Sequence, residues 1–215
     1  MIPFEALTFI GLSVLLGAGA VTLFLILRQG GSSRSAAHLD AGRFRSALSA
    51  AEAGGSVDRD EILTAAVAAK HLLDLASAAT FLRRLVADDP RDGEAWLELG
   101  LVAGYEGRHD DAEEAFDRVA ESRSDLLESL TLHRAWLAAE RGDFERAERL
   151  LSDVEIPLET KLRTDLGTGD PTFAEWFLQA GLLWRRRGDL ERAEWALSAA
   201  RHAAPESLLI AERCR

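Results

Sequence analysis

The chain has 215 residues, and its 36 Asp and Glu against 25 Lys and Arg give a formal net charge of −11. So acidic a surface repels phosphate backbones and sets nucleic acid aside as a partner. A single cysteine, Cys214, can form neither an internal disulfide nor a paired-cysteine metal site.

Residues 6–27 (ALTFIGLSVLLGAGAVTLFLIL) carry no charge. As a helix, roughly 22 residues reach ~33 Å, enough for a hydrocarbon core of ~30 Å. A cleaved signal peptide would want cations before the apolar run and a shorter core ending at small residues; here Glu5 precedes it, and Gly17-Ala18-Gly19-Ala20 sits in its middle. The expectation is a single-pass transmembrane anchor after a short tail, residues 1–5. Arg28, Arg34, Arg43 and Arg45 all follow the span, so the positive-inside rule puts the tail outside and the remainder in the cytoplasm of a bacterial inner membrane. Ser13, Gly17 and Ala20 share a face on which a second copy's helix could pack, which makes homo-oligomerisation through the span an open option. Residues 28–36, with Gln29-Gly30-Gly31-Ser32-Ser33, read as a flexible tether.

The rest is rich in alanine and poor in proline, a composition that favours helix over strand. A recurring pattern runs through it. Gly42-Arg43-Phe44 with Ala47 marks a partial first copy, and Ala65, Ala66, Ala78 and Leu85 mark a second that carries Leu73 where a turn glycine is usual. The third is the sharpest: from Gly93, Trp96, Leu99, Gly100, Gly107, Ala112 and Phe116 fall at positions 4, 7, 8, 15, 20 and 24. Gly142, Phe144, Ala147 and Leu151 mark a fourth, in which Arg134 takes a slot usually apolar. An insertion near 155–172 precedes the last copy, with Phe177, Ala180, Gly181, Trp184, Gly188, Ala193, Leu197, Ala200 and Pro205 in the same frame.

This spacing resembles the tetratricopeptide repeat, a helix–turn–helix unit of about 34 residues. The resemblance covers most of residues 37–205. It implies an all-α, right-handed solenoid of about five helical hairpins, with residues 206–215 as a partial C-terminal capping helix. In architecture the chain is also similar to bacterial lipopolysaccharide-assembly regulators, which pair an N-terminal span with cytoplasmic repeats. Those add a metal module with paired cysteines, which Cys214 alone does not supply.

No zinc-protease, phosphate-loop, nucleophile-elbow or paired-cysteine motif occurs, so the expectation is no enzyme, no cofactor and no metal. A binding surface is the better prospect. In the resembled family the concave wall is lined by positions 2, 5, 9 and 12 of each first helix, and members that clamp a carboxylate carry Lys, Asn and Arg there. Positions 5 and 9 here include Leu63, Leu97, Leu101, Leu132, Trp136, Leu178 and Leu182. They describe an apolar trough edged by Asp60, Lys70, Glu94, Glu175 and Arg185, suited to an amphipathic helix or apolar peptide with Trp136 as an anchor. Two possibilities stay open: an accessible trough, or leucines packed within the hairpins or covered by the insertion. The function expected is a membrane-anchored scaffold that binds partner proteins at the cytoplasmic face. The alternatives are an extracytoplasmic assembly factor and a regulatory subunit of a membrane enzyme or protease.

Overall fold

Aspartate sets the starts of the helices. Asp58, Asp74, Asp92 and Asp189 each precede a helical run, and their carboxylates accept from the backbone N–H groups of Asp60, Ser77, Ala95 and Arg192. These bonds satisfy donors that the helix itself leaves unpaired. The computed structural model describes residues 37–39, 42–54, 58–122, 127–153 and 173–215. Within them run α1 (Phe44–Gly54), α2 (Arg59–His71), α3 (Leu75–Asp88), α4 (Gly93–Tyr105), α5 (His109–Ser122), α6 (Leu127–Glu140), α7 (144–153), α8 (Ala174–Arg187), α9 (Leu190–Ala203) and α10 (Leu208–Arg213). The pairs α2/α3, α4/α5, α6/α7 and α8/α9 are hairpins, with α1 packed on α2 and α10 on α2, α8 and α9. The chain is an all-α array of repeated helical hairpins.

Every turn between paired helices uses one left-handed residue: Gly107, Gly142 and Gly188 have φ of 77, 83 and 89°. Leu73 occupies the same place with φ 63°. Its backbone closes the turn as the glycines do: Leu73 N–H donates to Lys70 O at 3.0 Å and Asp74 N–H to Ala69 O at 2.9 Å, matching Gly107 to Gly104 and Arg108 to Ala103. The second hairpin is therefore irregular in sequence and regular in structure. The helix-end bonds enforce the turn against the side chain's preference.

Within hairpins, a small residue in the first helix receives a large one from the second. A Cβ on Gly100 would lie 2.5 Å from the Phe116 ring. Phe116 thus seats on the glycine of its own hairpin. Arg134 of α6, out of place as a core residue, turns to α5 and pairs with Asp117 at 2.5 Å.

The two ends of the repeat region meet. The Phe44 ring stacks on His71 with centroids 4.1 Å apart, and His71 Nδ1 shares a 2.9 Å hydrogen bond with Ser207 Oγ, 136 residues away. Phe44, Ala47 and Ala68 belong to the same buried apolar cluster as Ala200, Ala204, Leu209 and Ile210.

The expected membrane anchor is corrected. Among the described residues no helix is long and apolar enough to cross a membrane. The long helices such as α3 and α8 have 14 residues, roughly 21 Å against a ~30 Å core. The tail 1–5, residues 6–27, the tether 28–36 and the insertion 155–172 lie outside the described residues. The inner-membrane location, the cytoplasmic orientation and self-association through a span all rested on that helix, and none is carried forward.

Leu73→Gly tests the turn. Relief of a left-handed leucine, partly offset by the freer unfolded chain, should stabilise by up to about 1 kcal/mol. The urea midpoint should rise with an unchanged slope.

Candidate functional site

Five of the expected trough residues, Leu101, Leu132, Trp136, Leu178 and Leu182, lie in the packed interior, none more than 8% exposed. Leu63 and Leu97 are half-buried, and Arg185 is exposed at the end of α8. The cause is close approach between successive first helices. A Cβ on Gly104 of α4 would lie 2.8 Å from the Trp136 indole of α6, so the missing side chain admits the ring. Tyr105 flanks it with centroids 4.8 Å apart. Trp136, the candidate anchor of the accessible-trough reading, stands as a wedge between the third and fourth hairpins. Along α4, α6 and α8 the trough is filled by the chain's own side chains.

Its two polar rims have come together. Lys70 of α2, only 1% exposed, places Nζ 2.5 Å from Glu175 Oε2 of α8 and 2.6 Å from Glu98 Oε2 of α4. Tyr105 donates its hydroxyl to Glu175 Oε1 at 3.1 Å. Beside this group, His133 Nδ1 donates to Gln179 Oε1 at 2.6 Å. Lys70 and Glu175 are legible from the sequence as rim residues, but their union is not. Glu98, His133 and Gln179 fall at position 6 of their copies, with the buried Thr64 in the same slot of the second. That row of polar residues in otherwise apolar helices is the signal that tracing positions 2, 5, 9 and 12 passes over.

Electrostatics fixes the charges. Burial opposes the charge on Lys70, but Glu175 and Glu98 outweigh it and hold the ammonium above its ordinary pKa. Burial would raise the Glu175 carboxyl; Lys70 outweighs this and brings it below the usual carboxylate range. Glu98, with the second claim on one cation, is pushed up by burial. Burial lowers His71 to about 3, and it lowers His133 as well, so both rings are neutral near pH 7.

The cluster is a clasp with no chemistry evident in it. Among the described residues, no group of three or more His, Cys, Asp or Glu could hold a metal ion. Two surface clefts of about 430 and 370 Å³ are lined by Arg59 with Asp92, and by Arg108 and Arg141 with Asp110 and Asp111. Arg59, Arg108 and Arg141 are each paired with a carboxylate that lines the same cleft.

No protein-family profile and no curated protein matches the sequence. Solved structures do. A tetratricopeptide repeat protein from Parabacteroides merdae ATCC 43184 is 17% identical with a TM-score of 0.51, over 98% of this chain and 94% of its own. The Cut9–Hcn1 hetero-tetramer of the APC/C is 16% identical with a TM-score of 0.52, over 84% of this chain and 34% of the other. A MamA structure from AMB-1 is 18% identical with a TM-score of 0.47, over 83% and 93%. The first two likenesses show the fold: an array of helical hairpins of tetratricopeptide type.

Lys70→Met leaves two carboxylates facing each other in the interior and should cost about 3 kcal/mol, read as a lowered urea midpoint. A part of this should return in Lys70→Met/Glu175→Gln. The histidines predict a pH dependence. His71 titrates near 6.5 when unfolded and near 3 when folded, so between those values the unfolded chain binds more protons and stability falls as pH falls. The slope is up to about 1.4 kcal/mol per pH unit for each such ring. The raised Glu98 opposes it in part, and Glu175 adds to it only near its own lower range. Urea unfolding of His71→Phe between pH 7 and 5 should show a clearly shallower decline than the parent. An equal decline would mean that His71 is not a buried neutral ring.

Proposed function

We propose that the chain is a protein-binding scaffold that takes an apolar or amphipathic segment of a partner on the inner wall formed by its first helices. The observation that carries this is the wall's composition within the hairpin-repeat fold. Leu63, Val67 and Leu97 are half-buried on α2 and α4. Leu97 packs against the cluster that holds the buried Leu101, Leu132, Trp136, Leu178 and Leu182, and Leu63 against the apolar cluster shared by α2 and α3. Partly accessible leucines that continue into a larger apolar interior suit a helix-in-groove contact better than isolated exposed side chains do. Asp60 and Glu94 edge the same stretch, both paired with Arg59, and Arg185 stands at its far end. The chain's net charge of −11 favours a partner segment that carries basic residues beside its apolar face.

The finer picture of about five right-handed hairpins belongs to the same proposal: a curved array presents its first helices on one side, where one partner segment can touch several copies.

The wall is tested by comparing two faces. Leu63→Asp/Leu97→Asp should weaken capture of a co-purifying partner by at least about tenfold while leaving helical content intact. Arg83→Glu/Arg84→Glu, on the outer helix α3, should leave capture unchanged. The opposite pattern would move the contact to the outer face.

A further inference from the structure

The short helix α10 lies against the C-terminal ends of the first helices and bonds to His71, Tyr105 and Glu140, the last residues of α2, α4 and α6. It has an N-cap, since Ser207 Oγ accepts from Ile210 N–H at 3.1 Å, and the same hydroxyl bonds to His71 at the end of α2. Leu209 and Ile210 are fully buried. Arg213, one turn on, lies over the Tyr105 ring at 5.3 Å, donates to Tyr105 O at 3.1 Å, and reaches Glu140 of α6 at 3.5 Å. Cys214 Sγ points to Leu197 O of α9 at 3.8 Å. The outer face, Leu208, Ala211 and Glu212, is exposed, as are Pro205 and Glu206, which connect it to α9.

We infer that α10 is an intramolecular ligand of the array's inner wall, and that the partner segment is a short amphipathic helix of the same chemistry: a capped start, an adjacent pair of branched apolar residues, and an arginine one turn later. This rests on the inner-wall function proposed above and names what that wall recognises. A helix of six residues is too short to hold itself together in water, so it is ordered by its docking. Its contacts are those of a helix-in-groove complex: two apolar anchors at the centre and one arginine that meets a ring, a carbonyl and a carboxylate. Joined to α9 by an exposed link, it enjoys a high effective concentration, and a partner must compete with it. The tethered helix therefore sets how strong a partner's helix must be.

The test is exchange. A protease site is inserted between Pro205 and Glu206, the full chain is purified folded and cut, and fluorescent Glu206–Arg215 peptide is added. The labelled peptide is expected to bind the cut array saturably and not the uncut chain. Peptides with Ile210→Asp or Arg213→Ala should bind at least about tenfold more weakly. Three results would overturn the inference: loss of the array's helical signal when the segment leaves, no uptake of labelled peptide by a cut array that stays helical after losing its segment, or equal binding of the two altered peptides. The readout needs no natural partner. Successful exchange together with unchanged capture of the co-purifying partner in the cut protein would keep α10 as a ligand and reject the proposed function of the wall.

Discussion

One lysine holds the inner wall together. Lys70 is buried, charged and shared between carboxylates from two other hairpins, one of them 105 residues away in sequence. In a simple solenoid each hairpin touches only its neighbours, and stability is close to a sum of local terms. Here α2 is tied to α8 by a charge pair and, through α10, to the far end of the array. A charge pair in so dry a place is costly to form and more costly to leave half-made, so its chief effect is to specify one closed arrangement. The burial of Trp136, the neutrality of His71 and the seat of α10 all presuppose that closure.

Small side chains make the closure possible. α2 buries Ala65, Ala66, Ala68 and Ala69, and α4 offers Gly100, Ala103 and Gly104. Such surfaces let helices approach until backbone meets ring, as Gly104 meets Trp136. Helices that pack this closely leave little width for an open groove. Two features go the other way: the indole N–H of Trp136 finds no hydrogen-bond acceptor among the described residues, and Glu98 must share its cation. The closed wall is well packed but not fully satisfied in its polar groups.

The helical hairpins were legible because their determinants are local. An aspartate cap, a left-handed turn residue and alternating small and large residues can each be read within one copy, and even Leu73 keeps the turn because its helix-end bonds demand it. The trough was legible as a set of positions, while its accessibility stayed open. Repeat position says which side of its own helix a residue occupies, but not how near the next first helix lies. That distance depends on residues in other copies: Gly104 for Trp136, Glu175 for Lys70, Ser207 for His71. Arg134 shows the same limit, since it looks misplaced until Asp117 of the neighbouring hairpin is beside it. The apolar run at 6–27 was read from hydropathy and flanking charge, and no helix among the described residues gives it a counterpart.

Closure also bears on how tightly a scaffold of this kind can hold a partner. A ligand shifts an equilibrium only by the difference in its affinity for the two states. If the accessible form of the wall is a small fraction of the population, measured affinity falls by that fraction, so each tenfold of closure costs about 1.4 kcal/mol of apparent binding energy. The cost has a use. Contacts that merely resemble an apolar helix cannot displace α10, whereas a segment that supplies both the branched pair and the arginine replaces its anchors one for one. The selectivity of the inner wall then follows from the helix it already holds.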